Sequence, residues 1–227
     1  MVNDKTALRS RLLAARAALS PEQRQQAALA LAGHALELLP PVAPGTGPAP
    51  VVAGYVSVGA ELGTRTLLDT LRARGVRVLL PVLLPDNDLD WGVYEGADSL
   101  LRAGRGLLEP GGPRLGPEAV GTAGLVLLPG LAVDRRGIRL GRGGGSYDRV
   151  LARLARAGST ARLATLLYDT EVLADVPAEP HDRAVDAAVT PSGLHRFRSG
   201  ACPPAPVRGH RTGARSGAFG PGPGSGG

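Results

Sequence analysis

Between Arg139 and Asp148 the chain reads RLGRGGGSYD, two arginines alternating with glycines just ahead of a serine, a tyrosine and an aspartate. These residue types in this order suit a phosphate group. Glycines at 141, 143, 144 and 145 let main-chain N–H groups approach an anion, and a helix beginning near Ser146 adds aligned donors and partial positive charge. Arg139 and Arg142 add charge-assisted hydrogen bonds. The run is not a Walker A sequence, because no Gly-Lys-Ser/Thr follows, and it lacks the third glycine of a dinucleotide fingerprint. A linker of biased composition is the competing reading. Elsewhere, Lys5 and Arg9 lie four apart on a predicted helix, which fits either a solvated basic face or a clamp around an anion. Glu61, three residues before Thr64, reads as an exposed helix-capping acid, with Thr64 as the N-cap. His181 and Asp182 follow PAEP as ordinary loop chemistry.

The elements around the glycine run decide whether it can work as a site. Leu125–Leu128 is a short continuous apolar run, as in a strand covered on both faces, and Val150, Leu151 and Leu154 recur at helical spacing up to Gly158. The loop therefore sits between a buried strand and an amphipathic helix. Upstream, Leu8, Leu12, Ala15 and Leu19 trace one face of a first helix. Ser20, Pro21 and Gln23 start a second that runs to about Leu39. A Pro/Gly loop, Pro40–Pro50, precedes a strand at Val51–Val58, a helix at Thr64–Ala73 closed by Gly75, and a strand at Val76–Leu80. Leu89–Tyr94, Arg162–Tyr168 and Val185–Val189 supply further strands. This alternation predicts an α/β fold: a three-layer α/β/α arrangement around a central, mostly parallel or mixed sheet, with an N-terminal helical hairpin.

With 227 residues and 43% hydrophobic composition, the chain can bury one core, predicted to occupy residues 1–195 as a single domain. The net charge of +6 is concentrated at the end of the chain. From Arg196 onward there are five arginines and no acids, which leaves 21 basic against 20 acidic residues before it. Residues 196–227, rich in Gly, Pro and Arg, are expected to form a disordered tail, and no nucleic-acid partner is expected. The single Cys202 has no internal disulfide partner. No run of about 18 apolar residues and no cleavable leader is evident, so no membrane association and a cytoplasmic location are expected.

PGLAVDRRGIRLGRGGGSYDR, from Pro129 to Arg149, resembles the signature of the 5-formyltetrahydrofolate cyclo-ligase family: Pro-Gly-x-x-Phe-Asp, a turn, then Arg-Leu-Gly-x-Gly-x-Gly-Tyr-Tyr-Asp. Asp134, Arg139, Leu140, Gly141, Gly143, Gly145, Tyr147 and Asp148 fall in register. Val133 replaces the phenylalanine, and Ser146 replaces the first aromatic of the pair. KTALR at Lys5–Arg9, VVAGYVSVGAELGT at Val51–Thr64, LLEP at Leu107–Pro110 and HDRAVDAAVTP at His181–Pro191 resemble further family segments in the same order. Ala60 stands where the family has an acid.

The resemblance implies ATP-dependent cyclisation of 5-formyltetrahydrofolate to 5,10-methenyltetrahydrofolate by a ligase of folate and one-carbon metabolism. ATP contacts are then expected from Lys5, Arg9 and the run Arg139, Leu140, Gly141, Arg142, Gly143, Gly144, Gly145, Ser146 and Tyr147, with Arg139 and Arg142 catalytic. Folate contacts are expected from Val56, Glu61, Arg142, Gly143, Gly144, Gly145 and Ser146, and a Mg²⁺ site from Asp148 and Asp182. Trp91, Tyr94 and Tyr147 are the candidates for stacking on the pterin. Small molecules are the expected partners of a monomer or weak homo-oligomer. Two alternatives stay open: a non-catalytic folate- or nucleotide-binding relative, and a phosphosugar isomerase or CoA-transferase-like enzyme of similar fold.

Overall fold

Hydrophobic side chains on both faces of one short strand set the architecture. In the computed structural model, which describes residues 2–39, 48–179 and 182–197, this strand is β6, Leu125–Pro129. Leu125 and Leu127 enter one core cluster, and Val126 and Leu128 enter the other. A strand buried on both sides belongs at the centre of a covered parallel sheet.

The first core is closed by α2 (Pro21–Ala35) and α3 (Arg65–Ala73), and the second by α4 (Ser146–Arg156). Between them β6 pairs in parallel with β1 (Val51–Ala53) and β9 (Arg162–Leu166). β1 in turn pairs with β2 (Arg77–Leu83), and β9 with β11 (Ala187–Thr190). Antiparallel strands β3 (Leu89–Val93) and β12 (Gly193–Arg196) form the two edges. The expected three-layer α/β/α arrangement is therefore present. Arg196 belongs to β12 and Phe197 packs on the second core, so two residues that composition gives to the tail are part of the fold. Residues 40–47 of the expected Pro/Gly loop, His181 and residues 198–227, with Cys202, lie outside the described residues.

The N-terminal helices are both present and dock on different parts of the molecule. Ser20 caps α2 as its sequence predicts: its hydroxyl accepts from Gln23 N at 3.2 Å, and Gln23 Oε1 accepts from Ser20 N at 2.8 Å. α1 (Val2–Ala17) instead lies on a small sheet of β7 (Ala132–Asp134), β8 (Arg139–Leu140) and β10 (Val172–Leu173), where Leu12 joins Leu131, Leu140 and Val176. The predicted Leu8, Leu12, Ala15, Leu19 face needs two corrections: Leu19 lies beyond the end of α1 and packs on the first core. Ala15 is exposed, and Arg16 is buried in its stead.

The turn from β7 to β8 aims Arg139 and is tied from inside. Asp134 is fully buried, and its carboxylate accepts from Arg136 N, Ile138 N and the Arg136 guanidinium. Gly137 closes the turn at φ +81°, where a Cβ would press on the carbonyl oxygen of Val185. Both the left-handed backbone and the rigid neighbour oppose a side chain. Gly137→Ala is expected to destabilise the protein by more than about 2 kcal/mol in urea unfolding. A change below about 0.5 kcal/mol would contradict this account of the turn.

Candidate functional site

The chain proceeds from β1 to β2 on one side of the sheet, and from β6 to β9 and β11 on the other. The reversal opens a crevice outside the carboxyl ends of β1 and β6, the usual ligand position in open α/β sheets. The sequence predicts a strand running to Val58, but β1 ends at Ala53. Tyr55, Val56 and Val58 leave the ladder there and line a cavity of about 440 Å³. Its opposite wall comes from Leu83 of β2 and from Leu107 and Leu108, at the ribbon formed by β4 (Leu100–Arg102) and β5 (Leu108–Pro110). Its charged lining is Glu61, Arg105 and Glu109 and, at the glycine loop, Arg139, Arg142 and Asp148.

Glu61 is held by two groups: its Oε2 accepts from Val58 N at 2.9 Å, and its Oε1 accepts from Arg142 Nη1 at 3.1 Å. Glu61 is thus a cavity-lining acid rather than a cap. Thr64 sits at the N-cap position of α3 without making the capping hydrogen bond. Its hydroxyl donates to Tyr55 O at 2.7 Å and accepts from Ser57 N at 3.0 Å, which fixes the loop that carries Val56 and Glu61.

Of the three aromatics proposed for stacking, only Tyr147 lines this cavity. Trp91 is fully buried in the second core, and Tyr94 donates its hydroxyl to Asp69 of α3. Tyr55, which sequence reasoning passed over, stands in their place. The Tyr147 hydroxyl is buried and has no hydrogen-bond partner among the described residues. Burial, with the charge of Glu61, pushes its pKa well up, so it stays a neutral O–H donor.

A second, smaller pocket of about 200 Å³ lies across the glycine loop, and six charged residues line it. Lys5, Arg9 and Arg139 supply its cations, and Asp148, Glu179 and Asp182 its acids. Lys5 Nζ pairs with Asp182 at 3.0 Å and Glu179 at 3.3 Å, and Arg9 Nε donates to Gly141 O at 2.9 Å. Lys5, Arg9, Leu12 and Arg16 therefore share the docked face of α1.

Arg139 and Arg142 are held differently. The Arg139 side chain is 6% exposed, donating from Nη1 to Pro129 O at 3.0 Å and from Nη2 to Asp148 at 2.8 Å, while Arg142 is 54% exposed. Burial pulls the Arg139 pKa below the ordinary guanidinium value, and Asp148 opposes that pull. Its Nε is buried without a partner among the described residues. A Cβ at position 141 would come within 2.9 Å of Arg139 Nη1, so a side chain there would push the guanidinium aside. Gly143 and Gly145 adopt φ +99° and +76°, and Gly145 opens α4 with no side chain over the first-turn amides. Asp148, in that first turn, is held by Arg139.

The two cavities share Arg139, Gly141, Gly143, Gly145 and Asp148 as a common wall. Apart from Trp91 and Tyr94, every residue that the sequence nominates for phosphate, substrate or metal lines one of them. The apolar cavity can take a flat, weakly polar ring system, and the charged one an anion. Residues 1–191 match the 5-formyltetrahydrofolate cyclo-ligase family. The chain belongs to this family. Among its relatives, the 5-formyltetrahydrofolate cyclo-ligase of Mycolicibacterium smegmatis is 47% identical over 145 residues, 62% of this chain and 73% of that protein. That of Escherichia coli K12 is 31% identical over 179 residues, 78% of this chain and 94% of the relative. The NMR structure of Aquifex aeolicus 5,10-methenyltetrahydrofolate synthetase superposes with a TM-score of 0.69 at 26% identity, covering 91% of this chain and 99% of that one. As a cyclo-ligase family member the chain is a ligase of folate metabolism, with ATP as co-substrate of the family.

Sequence reasoning missed Tyr55, Glu179 and the anchoring of α1 in this cyclo-ligase fold. The Arg16 and Glu171 side chains, 4% and 3% exposed, form a two-pronged pair at 2.6 and 2.8 Å, and Arg16 Nη2 also donates to Gly130 O at 2.6 Å. Burial works against the charge of Arg16, and Glu171 outweighs it, leaving its pKa above the usual value. Arg139 and Arg16 thus hold the consecutive carbonyls of Pro129 and Gly130 where β6 meets the site. Among the described residues no cluster of three or more His, Cys, Asp or Glu is placed to hold a metal, and no helix is long and apolar enough to cross a membrane.

Proposed function

We propose that the chain cyclises 5-formyltetrahydrofolate to 5,10-methenyltetrahydrofolate, consuming ATP and releasing ADP and phosphate. The observation that carries this reading is the shared wall: one glycine loop with two arginines separates a largely apolar cavity from one lined by three cations and three acids. The reaction requires two such compartments. A formamide oxygen is a poor leaving group, and transfer of the γ-phosphoryl group onto it makes it one. The neighbouring aniline-type nitrogen then attacks the formyl carbon and gives up its proton to solvent, the ring closes, and phosphate departs with the former formyl oxygen.

In this reading Arg139 and the glycine-loop amides neutralise the transferring phosphoryl group. Arg142, linked to Glu61, stands where the folate meets the phosphates. Lys5 and Arg9 hold the rest of the triphosphate, which takes over the role that Asp182, Glu179 and Gly141 O play for them now. Val56, Tyr55 and Tyr147 face the ring system, and the neutral Tyr147 O–H has its donor available to a pterin acceptor. Asp148 and Asp182 offer the one or two carboxylates that Mg²⁺ accepts beside substrate phosphates. Bound there, the ion would spread the charge of the phosphate oxygens. Asp148→Asn and Asp182→Asn are each expected to raise the Mg²⁺ concentration for half-maximal rate by roughly tenfold, about one lost ionic contact. Unchanged Mg²⁺ dependence in both variants would show that the ion is held elsewhere.

The chemistry is tested with ¹⁸O in the formyl group. Phosphoryl activation delivers the label to inorganic phosphate, read by mass spectrometry. Label appearing in water instead would contradict this route.

A further inference from the structure

Among the described residues, only two that are not glycine adopt a left-handed φ: Asn87 at +64° and Arg105 at +60°. Asn87 lies in the turn from β2 to β3, and Arg105 in the turn from β4 to β5. The second turn has positive φ at consecutive residues, and Gly106, at +73°, meets that need without cost. Arginine at 105 does not, since glycine, asparagine or aspartate is favoured in that place. Strain of this kind persists where the surroundings hold it, and it gathers at ligand clamps. Arg105 is an exposed residue lining the larger cavity, and its Nη1 donates to Asn87 Oδ1 at 3.0 Å. The two strained turns therefore meet at the rim of that cavity. Leu83 and Leu89, on either side of the Asn87 turn, line its wall.

The Asn87 turn is also tied to the helix that follows the glycine loop. Arg149 and Arg153 lie four apart on α4. Arg149 Nη1 donates to Asp86 O at 2.7 Å, and Arg153 Nη2 donates to Asp88 Oδ2 at 2.7 Å. The Arg153 and Asp88 side chains are only 11% and 16% exposed, so this pair is the firmer of the two ties. At its other end, Arg149 N donates to Gly145 O at 3.1 Å, and the neighbouring Asp148 is held by Arg139. A continuous set of contacts thus runs from the glycine loop, along the first turns of α4, to the rim of the larger cavity.

We propose that Arg105 and Asn87 are positioning residues that latch the rim of the larger cavity, and that Arg149 and Arg153 tie this latch to α4, so that nucleotide on the glycine loop tightens the hold on folate. The inference rests on the folate and ATP reading above. A lone hydrogen bond at an exposed rim is weak enough to part as a ligand enters and to re-form behind it. The strain in both turns favours parting, which leaves the latch poised between two arrangements. Phosphates on the glycine loop order Gly143–Gly145 and the first turn of α4. That fixes the base from which Arg149 and Arg153 hold the Asn87 turn, and so favours the latched arrangement. The tightening is reciprocal: folate behind the latch strengthens the binding of nucleotide by the same factor.

The experiment is calorimetric measurement of the Kd of 5-formyltetrahydrofolate with and without saturating Mg²⁺ and β,γ-imido-ATP, which cannot transfer its terminal phosphoryl group. In the wild type the nucleotide analogue should tighten folate binding roughly tenfold. Arg105→Gly keeps the left-handed turn free of strain and removes only the latch. It should therefore be as stable as the wild type, while the ratio of the two Kd values falls to near one. Arg153→Met should lower the ratio too, with the Kd of the analogue alone unchanged, and Arg153→Lys should keep part of it. A merely structural role would shift the melting temperature and leave the ratio alone. A ratio near one in the wild type, or a wild-type ratio in both Arg105→Gly and Arg153→Met, would overturn the proposal and leave the folate reading standing. A wild type that binds no folate under either condition would overturn that reading, and the latch with it.

Discussion

Arg139→Ala is expected to lower kcat/KM by roughly a hundred- to a thousandfold, about 3–4 kcal/mol of transition-state stabilisation. Arg139 is the cation common to both cavities, and its guanidinium is fixed by Pro129 O and Asp148 before any ligand arrives. A preorganised donor costs no reorganisation when charge develops, which is why its loss weighs on turnover more than on binding. Arg139→Lys should be nearly as damaging, because one ammonium cannot reproduce the fork that joins Pro129 O to Asp148. Circular dichroism and a melting curve establish that each variant is folded before rates are compared. Activity within tenfold of wild type in folded Arg139→Ala would remove this residue from the transfer step.

The largest effect on stability is expected at the far end of α1. Glu171→Ala leaves the Arg16 guanidinium buried without its counter-charge, a defect worth roughly 3–5 kcal/mol, or a Tm lower by about 6–20 °C for a domain of this size. The double change Arg16→Met with Glu171→Leu should recover most of that loss, since a buried ion pair is replaced by apolar volume without an orphaned charge. The ring of Tyr168, 5.7 Å from the Arg16 guanidinium carbon, offers the new methionine a surface to pack on. A single Glu171→Ala variant within about 1 kcal/mol of wild type in chemical denaturation would contradict the anchoring role.

The central sheet was legible because burial writes itself into composition: a strand covered on both faces must be apolar throughout, and Leu125–Pro129 is. The helix starts at Ser20 and after Gly145 were legible because capping is local. What escaped is non-local or too short to show a period. β7, β8 and β10 have two or three residues each, and nothing in a pair such as Arg139–Leu140 marks a strand until its partners are placed. Ala15 and Arg16 exchanged roles because an apolar template cannot foresee that Glu171, 155 residues away, will neutralise a buried arginine. β1 stopped early for a similar reason: Tyr55, Val56 and Val58 look like strand, yet they are apolar to line a cavity. Gly54 marks the exit, since a Cβ there would come within 3.0 Å of Leu68. Trp91 and Tyr94 attracted attention by type alone, and the packing of α4 and α3 claims them for the interior.

Of the site itself, the glycine run with Arg139 and Arg142 suggests a phosphate group from local chemistry, while the roles expected of Lys5, Arg9, Glu61, Asp148 and Asp182 and the assignment to folate come through the family motifs. Their convergence on one glycine loop ties the two readings together. The most direct test is to mix the purified full chain with 5-formyltetrahydrofolate and Mg²⁺ and follow the absorbance of the conjugated methenyl product, with and without ATP. The account predicts product only when ATP is present, with one ADP formed for each ring closed. Absence of product with both substrates supplied, or product formed equally well without ATP, would contradict it.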